Sequence, residues 1–135
     1  MIKAISFALS GVVALLVAAG PATAGDAANG ESIYKKRCKA CHAIAPGKNR
    51  VGPSLFGVLD RQAGTVPKFK YSKSYIEAGE AGLTWDEEKI IEYLANPKKY
   101  MRKVTGNKKA KSKMVFKLKK EAERQDVTAY IVTIN

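Results

Sequence analysis

The sequence predicts an all-α fold with long loops, and three observations lead to that class. Apolar residues recur at helical spacing in three segments, 26–37, 84–96 and 121–133. Strand-like alternation of apolar and polar residues does not extend over a useful length. Residues 43–82 are rich in glycine and proline, which predicts mostly loop. A packed domain tolerates so long an irregular stretch when another component organises it.

The first 24 residues have the parts of a secretory signal. Lys3 gives a positive start, an apolar run covers Ala4–Ala19, and Ala22-Thr23-Ala24 fits a cleavage site. An uncleaved membrane anchor is the alternative, but the apolar run is short for about 30 Å of hydrocarbon and Gly20-Pro21 interrupts it. We therefore predict a cleaved signal peptide at 1–24, export to the periplasm, and one domain at 25–135.

The first two predicted helices have recognisable start signals. Asp26 is a favourable N-cap for a helix that runs to about Arg37. The pattern Thr84-Trp85-Asp86-Glu87 matches a capping box, with Thr84 as the expected cap. That helix should end at Asn96, because the residue before Pro97 disfavours helical geometry.

The third predicted helix runs from about Glu121 to Thr133, with Val127, Tyr130 and Ile131 on one face. Between it and the second helix lies a lysine-rich segment, Met101–Met114. Most of that segment is expected to be a solvated loop.

The pentapeptide Cys38-Lys39-Ala40-Cys41-His42 contains both cysteines and the only histidine of the chain. Two thiols at this spacing can each form a thioether with one haem, and the neighbouring histidine can bind its iron. A thioredoxin-like redox pair would need a βαβ pattern, zinc would need more ligands, and a disulfide would close almost no loop. The motif therefore predicts one covalently attached haem c.

Two methionines could occupy the sixth position of the iron, since Met1 leaves with the signal. Met101 directly follows a predicted helix end, whereas Met114 lies in a loop beside Val115 and Phe116, so we predict Met114. A thioether favours Fe(II) and raises the reduction potential. With both axial positions filled, O₂ and peroxide have no place to bind, which predicts electron transfer rather than catalysis.

The formal net charge is +12, which favours an acidic protein, an anionic membrane surface or nucleic acid as partner. No nucleic-acid-binding motif occurs, and the predicted export argues against nucleic acid. An acidic partner is therefore expected.

Several sequence blocks in order resemble class I cytochromes c, of the long bacterial cytochrome c2 kind that is similar to the mitochondrial protein. The resemblance implies three main helices and long loops wrapped around one haem. It extends over residues 25–135 and rests on Gly25–Gly30, Cys38–His42, Val51–Gly57, Gly82–Trp85, Tyr93–Tyr100, Lys113–Phe116 and Asp126–Tyr130.

The resemblance implies roles for individual residues. Cys38 and Cys41 would hold the haem, His42 and Met114 would be axial ligands, and the Pro53 carbonyl would accept the other imidazole N–H. Further expected contacts involve Tyr71 and Trp85 at one propionate with Arg61 nearby, Ser112 near the other propionate, Tyr93 near the Met114 sulfur, and Gly30 against Tyr130 where the terminal helices cross. The three aromatic residues Tyr71, Trp85 and Tyr93 could instead be ordinary core residues.

A ring of basic residues around the haem edge is also implied, and it would steer acidic redox proteins into register. Its members would be Lys36, Arg37, Lys39, Arg50, Lys98, Lys99 and Lys113. The expected function is a monomeric periplasmic carrier, not an enzyme, in peripheral contact with membrane complexes. It would take electrons from a bc1-type complex or a dehydrogenase and give them to a reaction centre, terminal oxidase or reductase.

Two other functions remain open on the sequence. The protein could be a small haem enzyme or gas sensor with a labile sixth ligand, or a dedicated subunit of a larger dehydrogenase. The segment before Met114 is longer than in the mitochondrial pattern, so it could open easily and let Lys111 or Lys113 replace Met114 at high pH.

Overall fold

The computed structural model describes residues 25–135, which contain helices and loops. The elements are α1 (Ala27–Ile33), which continues into a π-helical turn (Tyr34–Cys38), α2 (Lys73–Glu80), α3 (Glu87–Ala95), α4 (Pro97–Thr105) and α5 (Glu121–Ile131). Among these residues the β pairing is limited to an isolated bridge between Gln62 and Thr84. The predicted all-α class is confirmed. The predicted signal peptide lies outside the described residues.

The start of α1 agrees with the prediction. The Asp26 carboxylate accepts hydrogen bonds from the backbone N–H groups of Ala28 and Asn29, at 2.9 and 3.1 Å. The helix then widens into the π turn, where the N–H of Lys39 donates to the Tyr34 carbonyl over 2.9 Å. Such turns are rare and often occur at functional sites. Here the turn ends at Cys38, one residue past the predicted end.

The predicted cap of α3 is wrong by two residues. Asp86, not Thr84, accepts a hydrogen bond from a helix N–H, that of Lys89 at 2.8 Å. Asp86 also holds the Lys89 ammonium at 2.7 Å, so its carboxylate satisfies two donors. Thr84 is instead engaged by its backbone in the bridge to Gln62. The sequence offered two capping residues two positions apart, and the backbone pairing of Thr84 with Gln62 leaves Asp86 as the cap.

Two short helices form where mostly loop was predicted. Helix α4 begins at Asn96, whose side chain accepts from the N–H of Lys99 at 3.1 Å, and ends at Gly106 in the left-handed conformation. An Asn-Pro start and a Gly stop are ordinary helix signals, which lysine-rich composition obscured. Met101 lies inside α4 and is 0% exposed, so it is a core residue rather than part of a solvated segment.

The terminal helices α1 and α5 cross at Gly30, as predicted. A side chain at Gly30 would overlap the Asp126 carbonyl and meet Cβ of Tyr130 at 3.0 Å. The Tyr34 and Tyr130 rings lie 5.6 Å apart, and α3 also packs against α5. This close crossing positions the π turn and Cys38 beside the core. None of the helices in the described part of the chain is long and apolar enough to cross a bilayer.

Candidate functional site

A cavity of about 390 Å³ lies between the π turn, α3 and the segment that follows α4. Its walls are mostly apolar, and its volume lies within the ~300–1,000 Å³ typical of ligand and cofactor sites. Cys38, Cys41, His42 and Met114 all line it. Met114, which is distant in sequence, therefore meets the three residues of the pentapeptide in one place.

His42 is held both through its ring and through its backbone. Its Nδ1 donates to the carbonyl oxygen of Pro53 over 2.8 Å, while the Tyr34 hydroxyl donates to the His42 carbonyl over 2.9 Å. A side chain at Gly52 would overlap the ring, so the neighbouring backbone can approach only because that residue is glycine. With Nδ1 occupied, Nε2 is the nitrogen available to a metal.

Burial keeps the His42 imidazole and the Cys38 thiol uncharged. Burial lowers the pKa of His42, the hydrogen bond to Pro53 opposes that shift, and the positive charge of Arg61 adds to it. Burial raises the pKa of the Cys38 thiol to about 11, whereas Cys41 is exposed. A neutral imidazole and a protonated buried thiol suit an apolar ligand at neutral pH.

Met114 approaches the cavity from a different part of the chain. It is half-buried between Lys113 and Val115, both of which also line the cavity. Tyr93 of α3 lies on the same wall, and its hydroxyl is 3.5 Å from Oγ of Ser112. Burial raises the pKa of Tyr93, so its phenol stays protonated. Tyr93 is both a core aromatic residue and a lining residue, so the two interpretations are compatible.

Arg61, Tyr71 and Trp85 line the cavity as well. The Arg61 guanidinium donates from Nη1 to the carbonyls of Ser54 and Phe56, at 3.2 and 3.0 Å. The Tyr71 hydroxyl accepts a long hydrogen bond of 3.4 Å from the N–H of Val66. Burial lowers the pKa of Arg61 and raises that of Tyr71. Arg61 and Tyr71 therefore place polar groups on the wall of an otherwise apolar cavity.

Sequence reasoning missed Ser72, which also lines the cavity. Its hydroxyl is buried and has no hydrogen-bond partner within residues 25–135. An unpaired buried hydroxyl costs free energy, so its partner is expected to be a polar group of a ligand. Its position next to Tyr71 in the sequence was the one available signal.

The predicted basic ring is exposed, and part of it borders the cavity. Arg37 and Lys113 line the cavity together with Val51 and Val115, which are 79% and 85% exposed and so mark its mouth. The remaining members do not line the cavity, although Arg50 donates to the Lys39 carbonyl over 2.9 Å, which places these two together. The exposed members of the basic ring that do not line the cavity are Lys36, Lys39, Arg50, Lys98 and Lys99.

Comparison with known proteins identifies the family. The family model for cytochrome c matches residues 27–135. The chain belongs to the cytochrome c family. It is 52% identical over 114 residues to cytochrome c2 iso-2 of Rhodospirillum centenum, which covers 79% of this chain and 93% of that protein. It is also 45% identical over 129 residues to cytochrome c2 of Rhodobacter capsulatus, with 90% and 92% covered.

Solved structures agree with this cytochrome c in fold. Cytochrome c2 from Rhodospirillum centenum superposes with a TM-score of 0.77 at 50% identity and covers 82% of this chain and 98% of its own. Ferricytochrome c2 from Rhodopseudomonas palustris gives a TM-score of 0.76 at 40% identity, with 82% and 99% covered. The resemblance to class I cytochromes of the c2 kind is confirmed.

As a cytochrome c, the protein carries one covalently attached haem c and is an electron-transfer protein, not an enzyme. The cavity fits that group. Two thiols, an imidazole and a thioether line one apolar space, and the unpartnered hydroxyl of Ser72 suits a polar edge of the ligand.

Proposed function

We propose that this cytochrome is a one-electron shuttle of the periplasm. In this proposal Cys38 and Cys41 hold haem c by thioether bonds, and His42 and Met114 are the two axial ligands. The observation that carries it is the presence of all four side chains on the wall of one apolar cavity. The bound haem supplies an iron that exchanges a single electron without a change in its bonds.

The protein's residues then set the properties of that iron. The hydrogen bond to Pro53 keeps the His42 ring in one orientation and one tautomer, which makes it a constant ligand. The Met114 thioether is a soft, neutral donor that favours the reduced state. The apolar walls act in the same direction, because burial disfavours the extra positive charge of the ferric state.

Polar residues would hold the edge of the haem that carries its carboxylates. Ser72 would donate its unpaired hydroxyl, with Tyr71 and Trp85 as further donors and Arg61 offsetting negative charge. Ser112 is proposed as a further contact, and its hydroxyl lies 3.5 Å from that of Tyr93. Tyr93 would in turn influence the Met114 sulfur from the same wall of the cavity.

The mouth of the cavity is the proposed docking face. Exposed Val51 and Val115 would give apolar contact, while Arg37 and Lys113 beside them would attract an acidic redox protein. The other basic residues of the ring would extend the attractive field. Candidate partners are a bc1-type complex or dehydrogenase as donor, and a reaction centre, oxidase or reductase as acceptor. Residues 1–24 have the pattern of a cleaved export signal, which supports the periplasm as location. In this proposal the protein acts there as a monomer in peripheral contact with membrane complexes.

The spectrum of the exported, purified protein tests the ligands. The colour should stay with the polypeptide in acidified organic solvent, because thioethers do not dissociate. The ferric form should be low-spin and show the methionine–iron charge-transfer band. A high-spin ferric form that binds peroxide, or a ferrous form that binds CO, would contradict Met114 as ligand and favour the haem enzyme or gas sensor.

The docking face is tested by the salt dependence of electron transfer. Reduction by a bc1-type complex should slow steeply as KCl rises, because exposed charges are screened beyond about 10 Å at 0.1 M salt. Lys113→Gln should weaken that dependence. Lys119→Gln, which removes an exposed lysine away from the cavity, is the matched control and should change it less. A flat salt response of the wild-type protein would refute the docking face.

A further inference from the structure

The segment that leads into Met114 is held at four consecutive residues, although its lysine-rich composition predicted a solvated loop. Its first anchor is Ala110, which is 1% exposed and whose carbonyl accepts from Nε of Arg102 at 3.3 Å. Arg102 belongs to α4, so this anchor ties the segment to the helix that it has just left. The next three anchors come from elsewhere in the chain.

Ser74 provides the second anchor. This residue lies in the first turn of α2, and its Oγ accepts a hydrogen bond from the backbone N–H of Lys111 at 3.0 Å. Its side chain is buried, at 9% exposed for the residue, although the Lys111 side chain is in solvent. A buried serine hydroxyl that accepts from a backbone N–H 37 positions away is a specific long-range contact, and it satisfies an amide that would otherwise need another acceptor.

The third and fourth anchors are side chains directly before the methionine. Ser112 meets the buried Tyr93 hydroxyl at 3.5 Å. The Lys113 ammonium donates to the carbonyl of Lys70 and lies 5.8 Å from the ring centroid of Phe69. A cation above an aromatic ring is attracted by it, so the ring and the carbonyl restrain Lys113 together.

Three of these contacts originate in the stretch from Phe69 to Ser74, which precedes and begins α2. We propose that Phe69, Lys70 and Ser74 form a clasp, here called the α2 clasp, that positions the Met114 segment against the cavity. Ser74 is its positioning residue, since it holds the backbone rather than a mobile side chain. The inference rests on the proposed role of Met114 as an axial ligand.

The α2 clasp changes the expected behaviour of the extended segment. Length alone suggested that this segment opens easily and releases Met114. Because each of the residues 110–113 is anchored, release of Met114 requires the contacts to Ser74 and Lys70 to break as well. The α2 clasp thus offsets the additional length of the segment before Met114.

Replacement of Ser74 by alanine tests the clasp in the haem-loaded protein. Alanine fits the site and is a better helix former, so Ser74→Ala removes the hydroxyl without weakening α2 itself. Added imidazole can bind the ferric iron only after Met114 leaves it. The rate of imidazole binding at saturating imidazole concentration therefore measures the rate at which the Met114 segment opens. Loss of one hydrogen bond to a buried partner should raise that limiting rate about tenfold. Amide hydrogen exchange at Lys111 should accelerate by a similar factor.

Two controls separate the clasp from general stability. Ser32→Ala removes an exposed hydroxyl on α1 and should change neither rate. The Leu118 amide, which donates to the Leu94 carbonyl over 2.9 Å, should exchange at an unchanged rate in Ser74→Ala. Equal acceleration at Lys111 and Leu118 would overturn the proposal, because it would indicate global destabilisation.

Unchanged exchange at Lys111, or faster exchange with an unchanged limiting rate for imidazole, would also overturn the clasp. A wrong assignment of Met114 as axial ligand would give a different result. In that case the wild-type protein itself lacks the methionine–iron band, and exchange at Lys111 still decides whether Ser74 holds the segment.

Discussion

The two sides of the cavity are built in different ways. The histidine side consists of Cys38–His42 with Gly52 and Pro53, and its donors lie within five consecutive residues. Backbone N–H groups of Cys41 and His42 both donate to the Cys38 carbonyl, at 3.0 and 2.9 Å, so one turn of chain arranges them. The methionine side consists of residues 110–114 and the α2 clasp, and it depends on contacts between parts of the chain far apart in sequence.

This difference indicates which side of the cavity opens first. A local turn persists as long as its own few residues stay ordered, whereas a segment held by separate long-range contacts can open without global unfolding. We therefore expect the histidine side to determine whether the cofactor is retained and the methionine side to determine how its iron behaves.

The largest expected contrast is between His42→Ala and Met114→Ala. His42→Ala removes the one imidazole of the chain, so little coloured, folded protein should accumulate. Met114→Ala should give a folded, coloured protein whose ferric iron is high-spin and whose reduction potential is lower, because the soft donor is gone. Its unfolding free energy should fall by about 2 kcal/mol, the lower end for Met→Ala, because Met114 is only half-buried. Absorption spectra and denaturant titration measure these outcomes.

A matched control for that contrast is Met101→Ala, which removes a fully buried methionine of α4. It should destabilise more than Met114→Ala, by about 2–5 kcal/mol, and leave a low-spin spectrum. A high-spin spectrum for Met101→Ala with an unchanged one for Met114→Ala would reverse the assignment.

Two glycine substitutions should have an intermediate effect, one on the histidine side and one at the end of α4, where the chain turns toward the methionine side. Gly52→Ala should cost about 1–3 kcal/mol by overpacking, because the added methyl group would overlap the His42 ring. Gly106→Ala should cost about 1 kcal/mol, because φ is +67° there but the space around it is open. Denaturant titration of both variants shows which one loses more unfolding free energy. A larger loss for Gly106→Ala would contradict the tight packing of the histidine side.

The smallest effect concerns the start of α3, the helix that brings Tyr93 to the methionine side. Asp86→Ala should lower the unfolding free energy by about 1 kcal/mol, since it removes the helix cap, and Thr84→Ala should have less effect. Hydrogen bonds from the Lys89 side chain and backbone lower the pKa of Asp86.

The sign of the pH dependence follows from that shift. Because the folded state lowers the pKa, the carboxylate contributes its stabilisation above the ordinary value and loses it as the pH falls through the lowered one. The difference between wild type and Asp86→Ala should therefore shrink in acid. If Thr84→Ala is the more damaging variant at neutral pH, the original capping box would be correct.

Much of the architecture was predictable from local signals. Asp26 caps α1, Gly30 meets Tyr130, and α3 ends at Asn96 as predicted. Helices α2 and α4 were missed because their segments are rich in lysine, glycine or serine, and burial of one face compensates for weak propensity there. Asp86 replaced Thr84 as cap because Thr84 is paired with Gln62 across the fold.

The residues of the candidate site also differ in whether local sequence signals could predict them. Cys38, Cys41 and His42 were predictable because their spacing alone specifies their chemistry. The buried, unpaired hydroxyl of Ser72 and the anchor at Ser74 were not, because a serine in a polar stretch has no distinguishing local signal. Both became apparent only from what surrounds them.

The sequence by itself determined the chemistry of this protein: two thiols and an imidazole within one turn, a methionine further along, and a strongly basic surface. Short-range spacing is sufficient for that, since neighbours in sequence are neighbours in any fold. Only the tertiary structure decided how the methionine segment is held, which serine hydroxyl faces the cavity and whether Thr84 or Asp86 caps α3. Those choices depend on burial and on partners tens of residues away, and such contacts exist only once the chain has folded.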